Sequence, residues 1–334
     1  MDKAFEPLHP LVSAFSDSFV EYPPLDTILK DLHRLRKISA RSGFKPSIMI
    51  TGDAGVGKTS LIRHFEEECK DVGGPKVLRI DVRPSWHETL QLIYKTLTGS
   101  KNTRGLMRAS VDGLFSVVVD ELKNHHVGML IINEAQQLFE ITTTSKRQDI
   151  DNQLKNISEL ADLCIVFVGM PWSIELLKDQ QWLSRVKRIH SIPLFKIQNA
   201  EKMEKKAFKT CLEELSKALP LQEPPLLQDK SFSARLFAYS KGEMRALKFV
   251  LSEGLSLALE SGSRTLTFEH LFEATKLEFE DSVNPFNPKL SSIDIEQVSR
   301  YTTLKKDPKT GEILRTNREY ELLKNVPLSQ LMTK

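Results

Sequence analysis

Residues 47–60 read Ser47-Ile48-Met49-Ile50-Thr51-Gly52-Asp53-Ala54-Gly55-Val56-Gly57-Lys58-Thr59-Ser60. The first four residues form an apolar run typical of a buried strand, and an amphipathic helical pattern follows the loop. The glycines between them allow the backbone to bend around a phosphate group with its N–H groups pointing inward. A helix that starts at Gly57 adds the positive end of its dipole. The pattern therefore predicts a phosphate-binding loop between a strand and a helix.

This loop has the side chains that bind a nucleoside triphosphate. Lys58 places a positive charge beside the β- and γ-phosphates, and the Thr59 hydroxyl can ligate Mg²⁺. ATP and Mg²⁺ are therefore the predicted cofactors. The predicted nucleotide-binding residues are Gly52, Asp53, Ala54, Gly55, Val56, Gly57, Lys58, Thr59 and Ser60. The alternative is a glycine-rich turn that matches the pattern by chance, and the strand and helix on either side argue against it.

The segment around this loop alternates apolar strands with helical patterns over residues 47–197, which predicts a parallel sheet covered by helices. Each strand is short and rich in Ile, Val, Leu or Met, as strands buried on both faces should be. The predicted strands are Ser47–Thr51, Val77–Val82, Gly128–Asn133, Leu163–Gly169 and Ile189–Leu194. The fold class is therefore α/β.

Three further segments flank this α/β domain. Residues 1–46 are expected to form an irregular, proline-rich arm followed by a helix with a basic face. Residues 198–280 lose the strand signal and predict a small helical domain, a lid on the sheet domain. Residues 281–334 are polar and predict a C-terminal tail that is ordered only in part.

The third predicted strand ends in a polar pair, Asn133-Glu134. Glu134 is placed to polarise an attacking water. Asn133 is the predicted second metal-side residue, although its amide brings no negative charge and should bind the metal more weakly than a carboxylate. The change Asn133→Asp is accordingly expected to raise hydrolysis. The alternative is that the pair caps the next helix, since Asn is a good N-cap.

Two arginines are candidates for phosphate contacts, because a guanidinium is always charged and binds phosphate oxygens as a fork. Arg245 opens a helix of the predicted lid and could reach the γ-phosphate. Arg185 lies just before the last predicted strand, where it could project into a neighbouring subunit's site. Arg188 is the rival for that role, and a surface position without function is the alternative for each.

With these elements in this order, the chain resembles the TniB/TnsC family of AAA+ transposition regulators, which are MuB-like ATPases. The resemblance runs from about Val20 to Phe286. The motifs that carry it are Tyr22-Pro23-Pro24, Ile132-Asn133-Glu134-Ala135-Gln136, Val168-Gly169-Met170-Pro171, Trp182-Leu183-Ser184-Arg185 and Asn284-Pro285-Phe286. Asn133 departs from the family's Asp, and the end of the fourth strand lacks an obvious polar sensor residue.

The resemblance implies an AAA+ P-loop sheet domain with a helical lid. It implies that ATP lets subunits assemble as a homo-oligomer, a ring or helical filament, on double-stranded DNA. It also implies transposase subunits and a TniQ-like target-selection protein as partners, as in elements that include CRISPR-associated transposons. Glu134 would be the catalytic glutamate, Arg185 the arginine finger and Arg245 the sensor-two arginine. An origin-recognition or helicase-loading ATPase, or an ATP-binding scaffold with little hydrolysis, are the alternatives.

Binding to DNA without sequence preference requires Lys and Arg side chains that face phosphates. The candidates lie in two basic, hydroxyl-rich loops and are Lys101, Arg104, Arg108, Lys146 and Arg147. Solvated loops are the alternative reading. The basic face between Lys30 and Lys45 is a weaker candidate, since it could pack on an acidic neighbour.

Bulk composition excludes several classes of protein. The net charge of +3 is too small to indicate a nucleic-acid partner by itself. Three widely spaced cysteines without a CxxC pair argue against a zinc site and a disulfide framework. No apolar run approaches the roughly 20 residues that a membrane helix needs. The N-terminus has no signal-peptide pattern. A cytoplasmic protein without a membrane partner is expected.

Overall fold

The protein is described by a computed structural model that covers residues 9–41, 43–83, 85–99, 110–138, 144–178, 180–198, 202–306 and 313–328. Its centre is a parallel sheet of five strands. The strands are β1 (Ser47–Gly52), β2 (Lys76–Asp81), β3 (Val127–Asn133), β4 (Cys164–Gly169) and β5 (Val186–Ile192). Their order across the sheet is β2-β3-β4-β1-β5. The predicted parallel α/β sheet is confirmed.

Side chains alternate between the two faces of this sheet, and each face has its own core. In β3, Met129 and Ile131 belong to one core, and Leu130 and Ile132 belong to the other. All residues of β1, β3 and β4 are buried. This double burial explains why these strands read as continuous apolar runs.

Helices cover both faces of the sheet and also form residues 202–275 after it, except for their connecting loops. Those before and within the sheet are α1 (Pro10–Asp17), α2 (Pro23–Ser39), α3 (Lys58–Lys70), α4 (Trp86–Thr98), α5 (Val111–Asn124), α6 (Thr144–Leu160) and α7 (Gln180–Arg185). Those after the sheet are α8 (Lys202–Ala218), α9 (Lys230–Ser240), α10 (Met244–Glu260) and α11 (Phe268–Thr275). Two 3-10 helices, Ala135–Leu138 and Pro171–Lys178, follow β3 and β4. None of the helices within the described ranges combines the length and apolar character that crossing a bilayer requires.

The arm at the start of residues 1–46 is not irregular throughout, which corrects the expectation for it. Pro10 stands at the start of α1, where a helix needs no N–H donor, so proline begins this helix instead of blocking it. Val12 and Phe15 are buried, and α1 packs on α10. The Lys248 ammonium of α10 donates to the backbone oxygens of Phe15, Ser16 and Ser18 at the end of α1. Burial lowers the pKa of Lys248 to about 8.

The basic face of α2 is partly structural. Arg36 is buried and donates to the carbonyl oxygens of Pro75 (3.0 Å) and Val72 (2.8 Å), so it holds the turn before β2. Lys45 is also buried and donates to the Ser39 carbonyl at 2.9 Å. These two charges are therefore not available to a partner on the surface.

The expected polar C-terminal tail is wrong for the described residues. They contain β6 (Ser292–Arg300), β7 (Thr303–Lys306), β8 (Ile313–Thr316) and β9 (Glu319–Pro327). Strand β6 pairs with β9 and β7 pairs with β8, both antiparallel. Ile293, Ile295 and Val298 are buried in the core that also contains α8 to α11. The segment looks polar because only one face of the β6–β9 pair is covered, so polar residues interrupt the apolar ones.

Candidate nucleotide-binding site

The phosphate loop joins β1 to α3 in the predicted strand–loop–helix arrangement. Gly55 and Gly57 have φ angles of +80° and +96°, which favour glycine. At Gly52 a Cβ atom would lie 2.7 Å from the Ile192 carbonyl oxygen of β5, so the close packing of β5 excludes a side chain there. The sequence therefore forms this loop because three glycines stand where side chains are not tolerated.

Lys58 lies inside the loop and is almost fully buried. Its ammonium donates to the carbonyl oxygens of Gly52 (2.7 Å) and Asp53 (2.9 Å). Burial lowers the pKa of Lys58 to about 8, against the opposing effect of the Glu134 and Asp53 carboxylates. A bound phosphate would favour the protonated form of Lys58 and so offset the effect of burial on its pKa.

A cavity of about 450 Å³ opens over this loop. Its walls include Lys58, Thr59, Glu134 and Arg245. Its size lies within the range of about 300–1,000 Å³ typical of small-ligand sites. The buried hydroxyl of Ser252, also in the wall, has no hydrogen-bond partner among the described residues. The structure thus brings together residues from three distant segments at one cavity.

Glu134 directly follows β3 and has a φ angle of 57°, uncommon for a residue with a side chain. The Gln136 side-chain amide donates to the Glu134 carboxylate at 2.6 Å, and the Met170 N–H donates to the Gln136 amide oxygen at 3.1 Å. Gln136 therefore links Glu134 to the end of β4, where the sequence showed no polar sensor residue. The signal for it was the glutamine of the Glu-Ala-Gln motif.

The Asn133 side chain does not cap a helix, although the Glu134 carbonyl accepts from the Gln137 N–H at 2.9 Å at the start of the following 3-10 helix. The Asn133 amide nitrogen donates to the Asp81 carboxylate at 2.7 Å, because the two residues are register partners at the ends of β3 and β2. The amide oxygen is buried and has no hydrogen-bond partner in the described ranges. Asp81 was missed from the sequence, since only the strand register brings it to Asn133.

The residues proposed to bind Mg²⁺ fit that ion in their chemistry. The free Asn133 oxygen is of a type that coordinates Mg²⁺ or its water ligands, and Thr59 supplies a hydroxyl. Asn133 lies beside the cavity, outside the set of residues that form its wall, whereas Thr59 and Glu134 belong to the wall. This arrangement therefore favours Mg²⁺ coordination mainly by Thr59.

The three arginine candidates lie in different places. Arg245 lines the cavity, and its backbone N–H donates to the Gly55 carbonyl at 3.0 Å. Arg185, at the end of α7, forms an ion pair with Glu159. Arg188, on β5, forms an ion pair with Asp31, which His190 also contacts at 3.0 Å. Arg185 and Arg188 lie outside the chain's own cavity, as an action in a neighbouring subunit would require.

The candidate DNA contacts fall mostly outside the described part of the chain. Lys101, Arg104 and Arg108 lie outside the described residues. Lys146 and Arg147 lie in the first turn of α6, and their side chains also fall outside the description. Their role in DNA binding stays a prediction.

One further arginine reaches the phosphate loop from the C-terminal strands. Arg318 stands between β8 and β9 and contacts the Asp53 carboxylate at 3.1 Å. It also donates to the Ala54 carbonyl at 2.9 Å. No local sequence signal indicates this contact, because Arg318 lies 264 residues from Ala54 in a polar C-terminal segment.

Comparison with solved structures shows where this fold occurs. Cdc6p from Pyrobaculum aerophilum has a TM-score of 0.60 at 18% identity, covering 81% of this chain and 73% of that chain. The Aeropyrum pernix ORC2 protein, in ADPNP-ADP complexes, has a TM-score of 0.55 at 17% identity, covering 80% and 72%. The Aeropyrum pernix ORC1 protein in complex with DNA has a TM-score of 0.55 at 16% identity, covering 81% and 69%. At these identities the likeness concerns the fold, and it confirms the predicted AAA+ class with a helical C-terminal part.

Comparison with curated protein sequences finds no match. A family model described as "Bacterial TniB protein" matches residues 12–197, which is more than half of the 334 residues. The matched part contains the phosphate loop, Glu134 and Arg185, and the resemblance predicted from the motifs is thereby confirmed. The chain belongs to the TniB family.

Proposed function

We propose that this protein is an ATP-dependent, DNA-binding regulator of transposition that acts in the cytoplasm. It oligomerises on double-stranded target DNA, then recruits and activates the transposase. The observation that carries the proposal is the cavity in which Lys58, Thr59, Glu134 and Arg245 meet. Membership of the TniB family supports the role in transposition.

The chain's own residues bind and orient the nucleotide. The Lys58 ammonium, already inside the loop, neutralises the β- and γ-phosphates, while the N-terminus of α3 contributes its dipole. Thr59 and the free Asn133 oxygen would hold Mg²⁺, which supplies charge neutralisation on the phosphates.

Glu134 would be the catalytic residue for hydrolysis, and two arginines would contact the γ-phosphate. The hydrogen bond from Gln136 holds the Glu134 carboxylate at the cavity, where it can orient and polarise a water. Arg245 would contact the γ-phosphate from its own subunit, and Arg185 from a neighbouring subunit. Arg185 would first have to leave Glu159, so assembly and hydrolysis would be coupled through that ion pair.

DNA and protein partners complete the proposal. Lys101, Arg104, Arg108, Lys146 and Arg147 would face phosphates on the inside of a ring or filament. Transposase subunits and a TniQ-like target-selection protein would bind the assembled form. These partners follow from the family and not from a surface of the described residues.

The alternative of an ATP-binding scaffold with little hydrolysis is favoured by one observation. Asn133 stands where the family has Asp, and its amide is bonded to Asp81. Assembly without appreciable phosphate release would support the scaffold. The hydrolysing regulator and the scaffold would both assemble when nucleotide binds, so only the rate of hydrolysis distinguishes them.

The test is electron microscopy of the protein with double-stranded DNA and a non-hydrolysable ATP analogue. Rings or filaments are expected with the nucleotide and none with Lys58→Ala, because that variant lacks the phosphate-binding charge. Lys30→Ala is a control for charge removal, since Lys30 is an exposed residue on α2. If Lys58→Ala assembles like the parent protein, the nucleotide site is wrongly assigned.

The DNA contacts are tested separately by the salt dependence of affinity. Replacing Lys101, Arg104, Lys146 and Arg147 by Ala should flatten the slope of log affinity against log salt by about 0.9 per lost contact. The control is Lys30→Ala with Arg34→Ala. Arg36 is left unchanged because it is buried and donates to the Val72 carbonyl in the turn before β2. A flatter slope for the control set alone would place DNA along α2.

A further inference from the structure

We propose that Arg318 is a positioning residue for the phosphate loop, so that the C-terminal strands control nucleotide binding. The inference rests on the proposed function, because it concerns regulation of the same site. Arg318 is outside the cavity wall, and of the wall residues it contacts Ala54 directly.

The Arg318 guanidinium joins two parts of the site. Its Nε lies 3.1 Å from the Asp53 carboxylate, and one terminal nitrogen donates to the Ala54 carbonyl at 2.9 Å. The other terminal nitrogen donates to the Glu243 carboxylate at 3.2 Å. Asp53 and Ala54 belong to the phosphate loop, whereas Glu243 immediately precedes α10. One side chain therefore ties the loop to the helix that carries Arg245.

The ion pair between Arg318 and Asp53 is largely shielded from solvent. The Asp53 side chain is 1% exposed and that of Arg318 is 16% exposed. The other groups of the described residues that donate to the Asp53 carboxylate are the Ala54 N–H at 2.9 Å and the Thr302 hydroxyl and N–H at 3.1 Å and 3.4 Å, all uncharged. A buried carboxylate that loses its cationic partner is costly, so the loop around Asp53 would rearrange without Arg318.

The contact between Arg318 and Glu243 also influences the distance between two cations that line the cavity, Lys58 and Arg245. The Arg245 N–H donates to the Gly55 carbonyl, and the Glu243 side chain packs so closely on Gly55 that a Cβ there has no room. Lys58 and Arg245 repel each other, and the Arg318 charge adds to the repulsion on Lys58. Arg318 holds the segments that carry them together through Glu243, which keeps the cavity ready for an anion.

The same contact gives the C-terminal strands influence over the site. Arg318 is held in place by β8 and β9, and Thr302, which also contacts Asp53, precedes β7. A partner that moves these strands would move both contacts at once. Coupling between two sites acts equally in both directions. If the C-terminal strands affect nucleotide binding, nucleotide binding must also alter the stability of those strands.

The experiment compares Arg318→Ala, Arg318→Lys and Arg300→Ala in the full-length chain. Arg300 is the matched control because it pairs with Glu319 at 3.0 Å in the same strand pair and its side chain is 58% exposed. A fluorescent ATP analogue is titrated at a temperature where all variants are folded by circular dichroism. Arg318→Ala should bind at least about tenfold more weakly, the change that 1.4 kcal/mol produces. Arg318→Lys should recover part of the loss, since it keeps the charge without the fork.

Hydrogen exchange provides a readout that a purely structural role would not change. A saturating ATP analogue should slow amide exchange in β9 of the parent protein and of Arg300→Ala, with no such effect in Arg318→Ala at equal saturation. Either of two results would overturn this inference and leave the proposed function intact. One is parent-like affinity in Arg318→Ala, and the other is amide exchange in β9 of the parent that does not change when nucleotide binds. A parent protein that binds no nucleotide would overturn the proposed function and this inference together.

Discussion

The pairing of Asn133 with Asp81 gives a sharp prediction for the variant Asn133→Asp. The amide now donates a hydrogen bond of 2.7 Å to a carboxylate. A hydrogen bond to a charged group contributes about 1.5–3 kcal/mol. The substitution would remove the donor and place two carboxylates against each other.

The size of the penalty follows from the exposure of the pair. Two unit charges 4 Å apart repel by about 1 kcal/mol in water and about 4 kcal/mol at the effective dielectric constant near a protein surface. The Asp81 side chain is 56% exposed, so solvent screening keeps the repulsion near the lower value. Adding the lost hydrogen bond, we expect Asn133→Asp to reduce the free energy of unfolding by about 3 kcal/mol at neutral pH.

The penalty should depend on pH in a defined direction. The two carboxylates would raise the pKa of the pair in the folded variant above the value of about 3.9 in the unfolded chain. A raised folded-state pKa means that protonation relieves the repulsion. The variant should therefore approach the parent's stability below about pH 4 and lose it as the pH rises through the raised pKa.

Denaturant unfolding and phosphate release together test this reasoning. The double variant Asp81→Asn with Asn133→Asp reverses the hydrogen bond and should recover most of the stability. It should also be the variant with faster Mg²⁺-dependent hydrolysis, whereas Asn133→Asp alone should not hydrolyse faster. This changes the expectation from the sequence, which did not include Asp81. An Asn133→Asp variant as stable as the parent at pH 8, and faster in hydrolysis, would refute the argument.

Three other predictions follow from the structure. Arg185→Ala should leave nucleotide binding by the monomer intact and weaken ATP-dependent assembly in light scattering, with Glu159→Ala as the control for loss of their ion pair. Normal assembly of Arg185→Ala would favour Arg188. The affinity for ATP should fall as the pH rises above about 8, where free Lys58 loses its proton, and isothermal titration should show proton uptake on binding there. A flat profile to pH 9 would exclude this. Deleting residues 289–334 should lower the melting temperature and ATP affinity as well as transposase pull-down, because Ile293, Ile295 and Val298 are buried and Arg318 is lost. Loss of pull-down alone would support a detached tail.

Local signals in the sequence predicted the sheet and the loop well. The strand before Gly52 is apolar on both faces because helices cover both, and Gly55 and Gly57 have the positive φ angles that the loop requires. Such features depend on neighbours along the chain. Glu134 and Arg245 could be placed at the cavity because parallel strands end at one edge of the sheet and the lid follows it.

Non-local pairing explains what the sequence did not show. Asp81 meets Asn133 through strand register, and Arg318 meets Asp53 through the docking of a late strand pair. Gln297 of β6 looks polar, yet it is buried and bonds the backbone of Ile197 and Gln198. Pro10 belongs to the arm expected to be irregular, yet it begins α1. Each of these depends on a partner distant in sequence or on position within an element.

The distance in sequence between Ala54 and Arg318 also has a consequence during translation. The ribosome makes the phosphate loop early, and Arg318 follows 264 residues later. At about 5–20 residues per second, the nascent chain spends roughly 13–53 s with Asp53 lacking its arginine. A polypeptide that is still attached to the ribosome, or one that terminates early, therefore has an incomplete nucleotide loop. In the assembly on DNA proposed above, only finished chains would then be competent to join, and fragments would be excluded.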